Sequence, residues 1–130
     1  MELLICIAAA TVGWVVRALW YMVLRSPFER ALAAPVRNTG HPARHSPLPY
    51  LLAGTCLLVM AVVMRALFLR YGISGLGEGL MVGTSIGALI GLPLTIMHNI
   101  PPRHANVLTA IDGVHAVLQC AVLGAILGAL

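Results

Sequence analysis

The stretch GLMVGTSIGALIG, residues 79–91, has a glycine at every fourth position of an otherwise apolar segment. At 3.6 residues per turn, this spacing places the glycines along one side of a helix. In lipid, such a row lets a second helix approach closely, which gains dispersion contacts and weak hydrogen bonds. The stretch therefore predicts a membrane helix with a packing groove, formed by Gly79, Gly83, Gly87 and Gly91.

The rest of the chain also has the composition of a membrane protein. Of its 130 residues, 60% are hydrophobic and 9% are charged, and the mean hydropathy is +0.96. An ordinary soluble domain carries about 25% charged residues. A spanning helix needs ~20 apolar residues, and four segments reach that length, at about 3–24, 49–70, 79–100 and 105–128. The predicted fold class is all-α, an integral membrane bundle of four transmembrane helices in a single domain over residues 1–130.

The arginines predict how this bundle is oriented. All eight basic side chains are arginines, and five of them lie in the 25–48 loop and the short 101–104 turn, on one side of the membrane. By the positive-inside rule, that side is cytoplasmic. We therefore expect a multi-pass protein of the cell inner membrane with both termini outside, although Arg65 and Arg70 lie on the outer side and oppose this assignment.

The basic loop favours lipid over nucleic acid as a partner. The segment RNTGHPARHSP, residues 37–47, is basic but lacks interleaved aromatic residues and any nucleic-acid-binding motif. A juxtamembrane arginine cluster is typical of proteins that contact anionic lipid headgroups. We expect membrane lipids as partners and no nucleic acid, and a homo-oligomer or a larger membrane complex stays open.

The cysteines and histidines lack the spacing of a metal or cofactor site. Cys6, Cys56 and Cys120 lie in three separate apolar segments without a CxxC pair, which favours a packing role. The five histidines form neither an HExxH motif nor an ExxH pair. The sequence predicts no cofactor, no metal and no catalytic residue.

The last span carries a second small-residue motif, GAILG, with Gly124 and Gly128 one turn apart. Glycine rows of this kind serve packing within a chain or between chains. We expect the row at 79–91 to pack within the chain, and the terminal motif is then the better candidate for an oligomer contact.

Three further stretches form a recognisable pattern: ALWY at 18–21, GALIGLPL at 87–94 and LTAIDGVHAVLQCAVLGAILGAL at 108–130. This pattern resembles the small bacterial membrane proteins of domain of unknown function 1761. The resemblance covers nearly the whole chain and implies four transmembrane helices, but it implies no activity. The chain departs from the family pattern at Arg17, where members tend to have glycine, and at His115, where they often have tyrosine.

Strongly polar stripes occur on two of the spans, because residues three or four apart share one face of a helix. A third polar group, at the end of the third span, approaches the same half of the membrane. The stripes are Trp14, Arg17 and Tyr21 on the first span and Asp112, His115 and Gln119 on the fourth, and the third group is His98 and Asn99.

Arg17 and Asp112 carry the two opposite charges of these stripes. Each is seven residues from the same membrane interface, which corresponds to a depth of ~10 Å. A charge within a span costs ~2.5–3.5 kcal/mol on the insertion scale, and pairing would lower the cost for both groups. We predict a buried Arg17–Asp112 ion pair, or a relay through the same cluster. The alternative is that Arg17 extends along its helix to the lipid headgroups.

These features leave three classes of function. The preferred hypothesis is a non-enzymatic structural or accessory membrane subunit, in which the polar cluster locks helix packing. The alternative is a small transporter, channel or proton-handling protein using Arg17, Asp112, His115 and His98, since histidine beside a membrane carboxylate can relay protons. A membrane enzyme is the third class, but the sequence has no catalytic motif that would support it.

Overall fold

The computed structural model describes residues 1–26, 47–99 and 106–130. Most of the predicted 25–48 loop and the 101–104 turn lie outside these ranges. Within them, every regular element is a helix. The elements are α1 (Glu2–Val23), α2 (Leu48–Tyr71), α3 (Leu76–Ile86), a π-helical turn (Gly87–Gly91), α4 (Leu92–Asn99) and α5 (Asn106–Ala129).

The predicted all-α fold is confirmed. The described ranges contain four helical spans that are long and apolar enough to cross a membrane. They are α1, α2 from Tyr50 onward, a third span made of α3, the π-helical turn and α4 as far as His98, and α5. This is the architecture of a multi-pass membrane protein.

Consecutive spans run in opposite directions. The start of α1 lies beside the end of α2, where Arg65 Nε donates a hydrogen bond to Glu2 Oε2 at 2.5 Å. The start of α3 lies beside the end of α5, where the Gly75 N–H donates to the Gly128 carbonyl at 2.6 Å. Both chain termini and the 72–75 turn therefore lie at one end of the bundle, here called the terminal end. The opposite end, here called the loop end, holds the end of α1 and the start of α5.

Two glycines make the turn from α2 to α3. Gly72 has a φ of 66°, the left-handed conformation that glycine adopts readily, and its N–H donates to the carbonyl of Phe68. Gly75 has a φ of 103° and precedes the first turn of α3. There the Glu78 carboxylate accepts a hydrogen bond from the Ser74 N–H at 3.1 Å. Together these contacts reverse the chain within a few residues.

The central helix of the bundle is α5. It packs against α1, α2 and the third span, whereas the third span packs mainly on α5. Half of the apolar window of α5 is buried, against 22% or less for the other three spans. The outer faces of those three spans keep large apolar side chains exposed, as a helix in lipid requires.

The apolar core joins α1, α2 and α5. Its largest fully buried side chains are Phe68 of α2 and Leu123 and Leu127 of α5. Ala9 and Ala10 of α1 pack into the same core, and their small size lets α1 lie close to the other two helices. The core lies between the terminal end and the polar residues near the loop end.

The third span departs from a regular α-helix just before Pro93. A proline has no N–H to donate, and its ring displaces the carbonyl of the residue four positions earlier. The π-helical turn Gly87–Gly91 precedes it, and the Leu92 N–H donates to the Gly87 carbonyl five residues back. A π-helical turn is one recognised way for a helix to absorb such a disturbance.

Candidate functional site

Glycines bring the third span and α5 into close contact. A Cβ added to Gly79 would collide with the carbonyl oxygen of Gly124, and one added to Gly83 would collide with that of Cys120. A Cβ on Gly87 would lie 2.7 Å from the Cα of Val117. No side chain fits between these backbones, so the helices can cross here only because these positions are glycines.

The glycines of α5 face the same contact from the other side. A Cβ on Gly124 would lie 2.8 Å from the Cα of Gly83, and one on Gly128 would lie 2.8 Å from the Cα of Gly79. The terminal GAILG motif therefore packs within the chain. Its assignment as the preferred oligomer contact is wrong, because two glycine grooves facing each other leave no space for a further helix. Gly91 is more loosely packed, since its Cβ would lie 3.4 Å from that of Ala116.

The polar stripes of α1 and α5 meet near the loop end. The Tyr21 hydroxyl donates a hydrogen bond to Asp112 Oδ1 at 2.6 Å. The Arg17 Cζ lies 5.0 Å from the centroid of the Tyr21 ring, within the usual range of a cation–π contact. In the described chain, no ion pair within 4.0 Å joins Arg17 to Asp112. Tyr21 lies between the two charges because its ring reaches across to α5, whereas Arg17 stays exposed on α1.

His115 is buried against two aromatic rings of α1. Its ring centroid lies 5.1 Å from that of Tyr21 and 6.2 Å from that of Trp20, with interplanar angles of 48° and 45°. Centroid distances of this size are typical of tilted aromatic pairs. The imidazole is only 6% exposed, so α1 covers it almost completely.

Gln119 lies one turn deeper than His115 and opposite Gly13. Its side chain is 4% exposed, and a Cβ on Gly13 would lie 2.5 Å from its Nε2. The glycine thus leaves the space that the Gln119 amide occupies. This position of α1 gave no signal in the sequence, because Gly13 is an isolated glycine in an apolar run.

Four buried polar atoms in this region have no hydrogen-bond partner in the described part of the chain. They are Trp20 Nε1, His115 Nε2, and both Oε1 and Nε2 of Gln119. A buried polar group without a partner costs ~1–3 kcal/mol. The concentration of such atoms on neighbouring turns of α1 and α5 distinguishes this region from the rest of the bundle.

The structure brings together six side chains, here called the α1–α5 polar site: Arg17, Trp20 and Tyr21 with Asp112, His115 and Gln119. Trp20 replaces Trp14 of the predicted stripe, because Trp14 is 40% exposed and lies near Gly54 of α2. His98 is exposed on α4, and no hydrogen bond or ring contact among the described residues joins it to the site. The Asn99 side chain lies outside the described residues.

Arg65 forms a second polar centre, at the terminal end, which the sequence reasoning missed. Its Nε donates to Glu2 Oε2, and its Nη1 donates to the Leu127 carbonyl at 2.6 Å. That carbonyl belongs to the last turn of α5, where carbonyls lack partners within the helix. Arg65 therefore links α1, α2 and α5. The available signal was Glu2, an acidic residue placed at the same end of the bundle.

The α1–α5 polar site offers hydrogen bonds and flat ring faces rather than metal ligands. Among the described side chains, no three of His, Cys, Asp or Glu come close enough to hold a metal ion. Cys6 and Cys120 are buried free thiols, and Cys56 is an exposed one. The described side chains of the site offer hydrogen-bonding groups on Asp112, His115 and Gln119 and ring faces on Trp20 and Tyr21.

One comparison with known proteins gives a match. The family model described as "Protein of unknown function (DUF1761)" matches residues 4–128 of the chain. The matched range includes all six residues of the α1–α5 polar site. No curated protein and no solved structure matches the chain. The resemblance seen in the sequence is confirmed, and it brings no activity with it.

Proposed function

The chain belongs to the DUF1761 family of unknown function, and we propose, on the geometry of its helices, that it is a non-enzymatic structural or accessory subunit of the cell inner membrane. The observation that carries this proposal is that the charged side chains within the membrane spans contact other groups of the protein. Arg17, Arg65 and Asp112 each engage another group of the same chain. Charges that serve a solute path face a cavity or a relay. Here, Asp112 and Arg65 join one helix to another, and Arg17 lies against Tyr21 of its own helix.

The depth of the polar residues also favours a structural role over passage across the membrane. From the loop end, polar side chains on α5 continue as far as Gln119. Between Gln119 and the Arg65–Glu2 pair, the core consists of apolar residues such as Ala9, Leu123 and Leu127. A path for ions or protons would need polar groups or water along this part as well.

The orientation we propose places the loop end in the cytoplasm and both termini outside. Six of the eight arginines belong to the loop end by their place in the sequence, and two, Arg65 and Arg70, belong to the terminal end. Arg65 is weaker evidence against this orientation, because its side chain is bound to Glu2 and to the Leu127 carbonyl. Arginine at the cytoplasmic side also fits contact with anionic lipids.

The partners we propose are membrane lipids and a larger assembly, which is either a second copy or another membrane protein. The glycine grooves are occupied within the chain, so such an assembly would use the outer faces of α2 and the third span. These faces carry exposed side chains such as Leu52 and Val59 on α2 and Leu89 on the third span.

A proton-flux assay separates the structural proposal from the proton-handling alternative. The purified protein is placed in liposomes that contain a pH-sensitive dye, and an acid pulse is applied. We expect the same leak as in protein-free liposomes, for both the native chain and the Asp112→Asn variant. A leak that appears with the native chain and disappears in Asp112→Asn would contradict the structural role.

Photo-crosslinking in native membranes tests the accessory role directly. A photoreactive residue is placed at Leu52 or Leu89, which are exposed, and at the fully buried Leu123 as a matched control. We expect discrete protein adducts from at least one exposed position and none from Leu123. Adducts of lipid mass alone at both exposed positions would refute the assembly.

A further inference from the structure

A structural role accounts for the Tyr21–Asp112 and Arg65 contacts but not for the unpartnered atoms beside them. Within residues 1–26, 47–99 and 106–130, Trp20 Nε1, His115 Nε2 and the Gln119 amide make no hydrogen bond that would hold helices together. Apolar side chains of similar volume would pack at the same positions without the cost of desolvating polar atoms. His115 and Gln119 are both more than nine-tenths buried. Their polar atoms therefore point to a hydrogen-bonding partner that the described helices do not supply.

The three side chains are adjacent, so one small molecule can reach all of them. His115 and Gln119 are four residues apart on α5 and share a face, and the Trp20 ring lies against that of His115. Gly13 of α1 lies directly against the Gln119 amide, since a Cβ at this position would come within 2.5 Å of Nε2. The polar atoms therefore lie along one short segment of the α1–α5 interface.

The unpartnered atoms define what the partner must offer. Trp20 Nε1 is only a donor, Gln119 provides donors and an acceptor, and His115 Nε2 is either, depending on its tautomer. None of these three groups needs to carry a charge. Because donors outnumber acceptors among these groups, they match a ligand that carries carbonyl oxygens. The rings of Trp20, Tyr21 and His115 match a ligand with a flat ring.

The surroundings indicate an approach from the lipid. Trp20 and Tyr21 are only partly buried, so part of each side chain reaches the surface of the bundle beside α1, while Trp20 Nε1 itself is buried. The adjoining surface of α1 exposes Leu19 and Val23, which suit an apolar tail. The apolar core beyond Gln119 closes the site on the inner side, which fits a bound headgroup better than a path.

We propose that the α1–α5 polar site binds the headgroup of a membrane-soluble quinone. Carbonyl oxygens of the headgroup accept hydrogen bonds from Trp20 Nε1 and the Gln119 amide, and the ring packs against His115 and Tyr21. The apolar tail extends into the lipid beside α1. Quinone binding is a separate property that goes beyond the structural role. The flux and crosslinking assays above test the structural role, and the experiments below test quinone binding.

The two tryptophans of the chain allow an internal control, because quinones quench tryptophan fluorescence. Trp14→Phe leaves Trp20 as the only reporter, and Trp20→Phe leaves Trp14, which lies away from the site. Both variants are placed in lipid nanodiscs and titrated with a decyl-substituted benzoquinone. We expect saturable quenching of Trp20 and only linear, collisional quenching of Trp14. Linear quenching of both tryptophans would overturn the proposal and leave water as the partner of the buried atoms.

Variants of the site test whether the saturable component depends on the predicted contacts. In the Trp14→Phe background, Gln119→Leu removes the amide, and Val114→Leu changes an exposed residue of the same helix. We expect Gln119→Leu to weaken apparent affinity about tenfold or more, as loss of a buried hydrogen bond does, and Val114→Leu to leave it unchanged. An alkylbenzene of equal chain length, which lacks carbonyl oxygens, should not compete.

If Gln119→Leu fails to fold, Gln119→Met preserves the side-chain length and supplies the same test. Thermal unfolding followed by circular dichroism identifies the variants that remain folded. Equal affinity in a folded Gln119 variant, or full competition by the alkylbenzene, would also overturn the proposal.

Discussion

Tyr21 and Arg65 each carry a polar group from one helix to a partner on another. Tyr21 joins α1 to α5 through Asp112, near the loop end, and Arg65 joins α2 to both α1 and α5, near the terminal end. In lipid, no water competes for these groups, so a lost partner is not replaced. Single substitutions at these two residues should therefore be more damaging than at similar residues on the outer faces.

Tyr21→Phe should lower stability while preserving the ring that contacts His115. The variant removes the hydrogen bond to Asp112, and a hydrogen bond to a charged group contributes about 1.5–3 kcal/mol. Tyr50→Phe is the matched control, because Tyr50 is exposed on α2. Thermal unfolding in nanodiscs should show a lower Tm for Tyr21→Phe alone. Equal melting of the two variants would mean that the Tyr21–Asp112 contact is not stabilising.

The indirect contact between Arg17 and Asp112 predicts a coupling that depends on Tyr21. A double-mutant cycle with Arg17→Leu and Asp112→Leu should give a stabilising coupling above ~0.5 kcal/mol. The same cycle in the Tyr21→Phe background should give a smaller value, because the ring that Arg17 contacts then lacks the hydroxyl that bonds Asp112. Additive effects in the native background would indicate that Arg17 interacts with lipid headgroups instead.

Arg65→Met should destabilise the terminal end, whereas Arg70→Met should have little effect. In Arg65→Met, the Leu127 carbonyl near the end of α5 loses its hydrogen-bond donor. This loss should lower the free energy of unfolding by about 1.5–3 kcal/mol. Arg70 is exposed in the last turn of α2, where single charges contribute little. Unfolding in mild detergent measures the stability of both variants. An equal loss of stability would show that positive charge at this end matters, rather than the specific contact of Arg65.

At the scale of the helices, α5 presents two faces that meet different neighbours. Its small residues, Gly124 and Gly128 among them, meet the third span at backbone distance, whereas its polar residues face α1. Substitutions on the first face should alter helix packing, and those on the second should alter the α1–α5 polar site. The two groups of variants should therefore be separable by experiment.

Gly83→Leu should force the third span away from α5. The added side chain would meet the backbone of α5 at Cys120 and Gly124, and overpacking of this kind costs about 1–3 kcal/mol or more. Gly77→Leu is the matched control, because a Cβ at Gly77 meets nothing within 4 Å. We expect a lower Tm for Gly83→Leu only. Unchanged melting of Gly83→Leu would remove the packing role of the glycine row.

At the scale of the whole molecule, four antiparallel spans bring both termini to the same side. The same end carries the 72–75 turn and the Arg65–Glu2 pair. From their place in the sequence, most of the arginines are expected at the opposite end. Which end faces the cytoplasm decides the side from which anionic lipids or a partner protein meet the arginines. Orientation is therefore the first property of the whole chain to measure.

Labelling of introduced cysteines tests the orientation. Single cysteines at Thr39 and Ser74 are made in a chain lacking Cys6, Cys56 and Cys120, and an impermeant thiol reagent is applied to intact cells. We expect Ser74→Cys to react and Thr39→Cys to react only after the cells are opened. Reaction at Thr39→Cys in intact cells would invert the proposed topology.

The sequence by itself determined the four helical spans, the all-α class and the family. Hydrophobic length is a local property, so each span could be recognised without knowledge of its neighbours. The helical period likewise predicted that Asp112, His115 and Gln119 share a face. It also predicted that the glycines at 79–91 form one row, although it could not identify the helix that meets them.

The tertiary structure decided which faces meet. The placement of Trp20 rather than Trp14 beside His115, and of Tyr21 between Arg17 and Asp112, depends on how α1 is rotated against α5. That rotation is set by close packing between residues far apart in the sequence, such as Gly13 against Gln119. Side chains one turn apart compete for the same contact, and a change of tens of degrees in helix rotation selects a different one. No local pattern in the sequence carries that information.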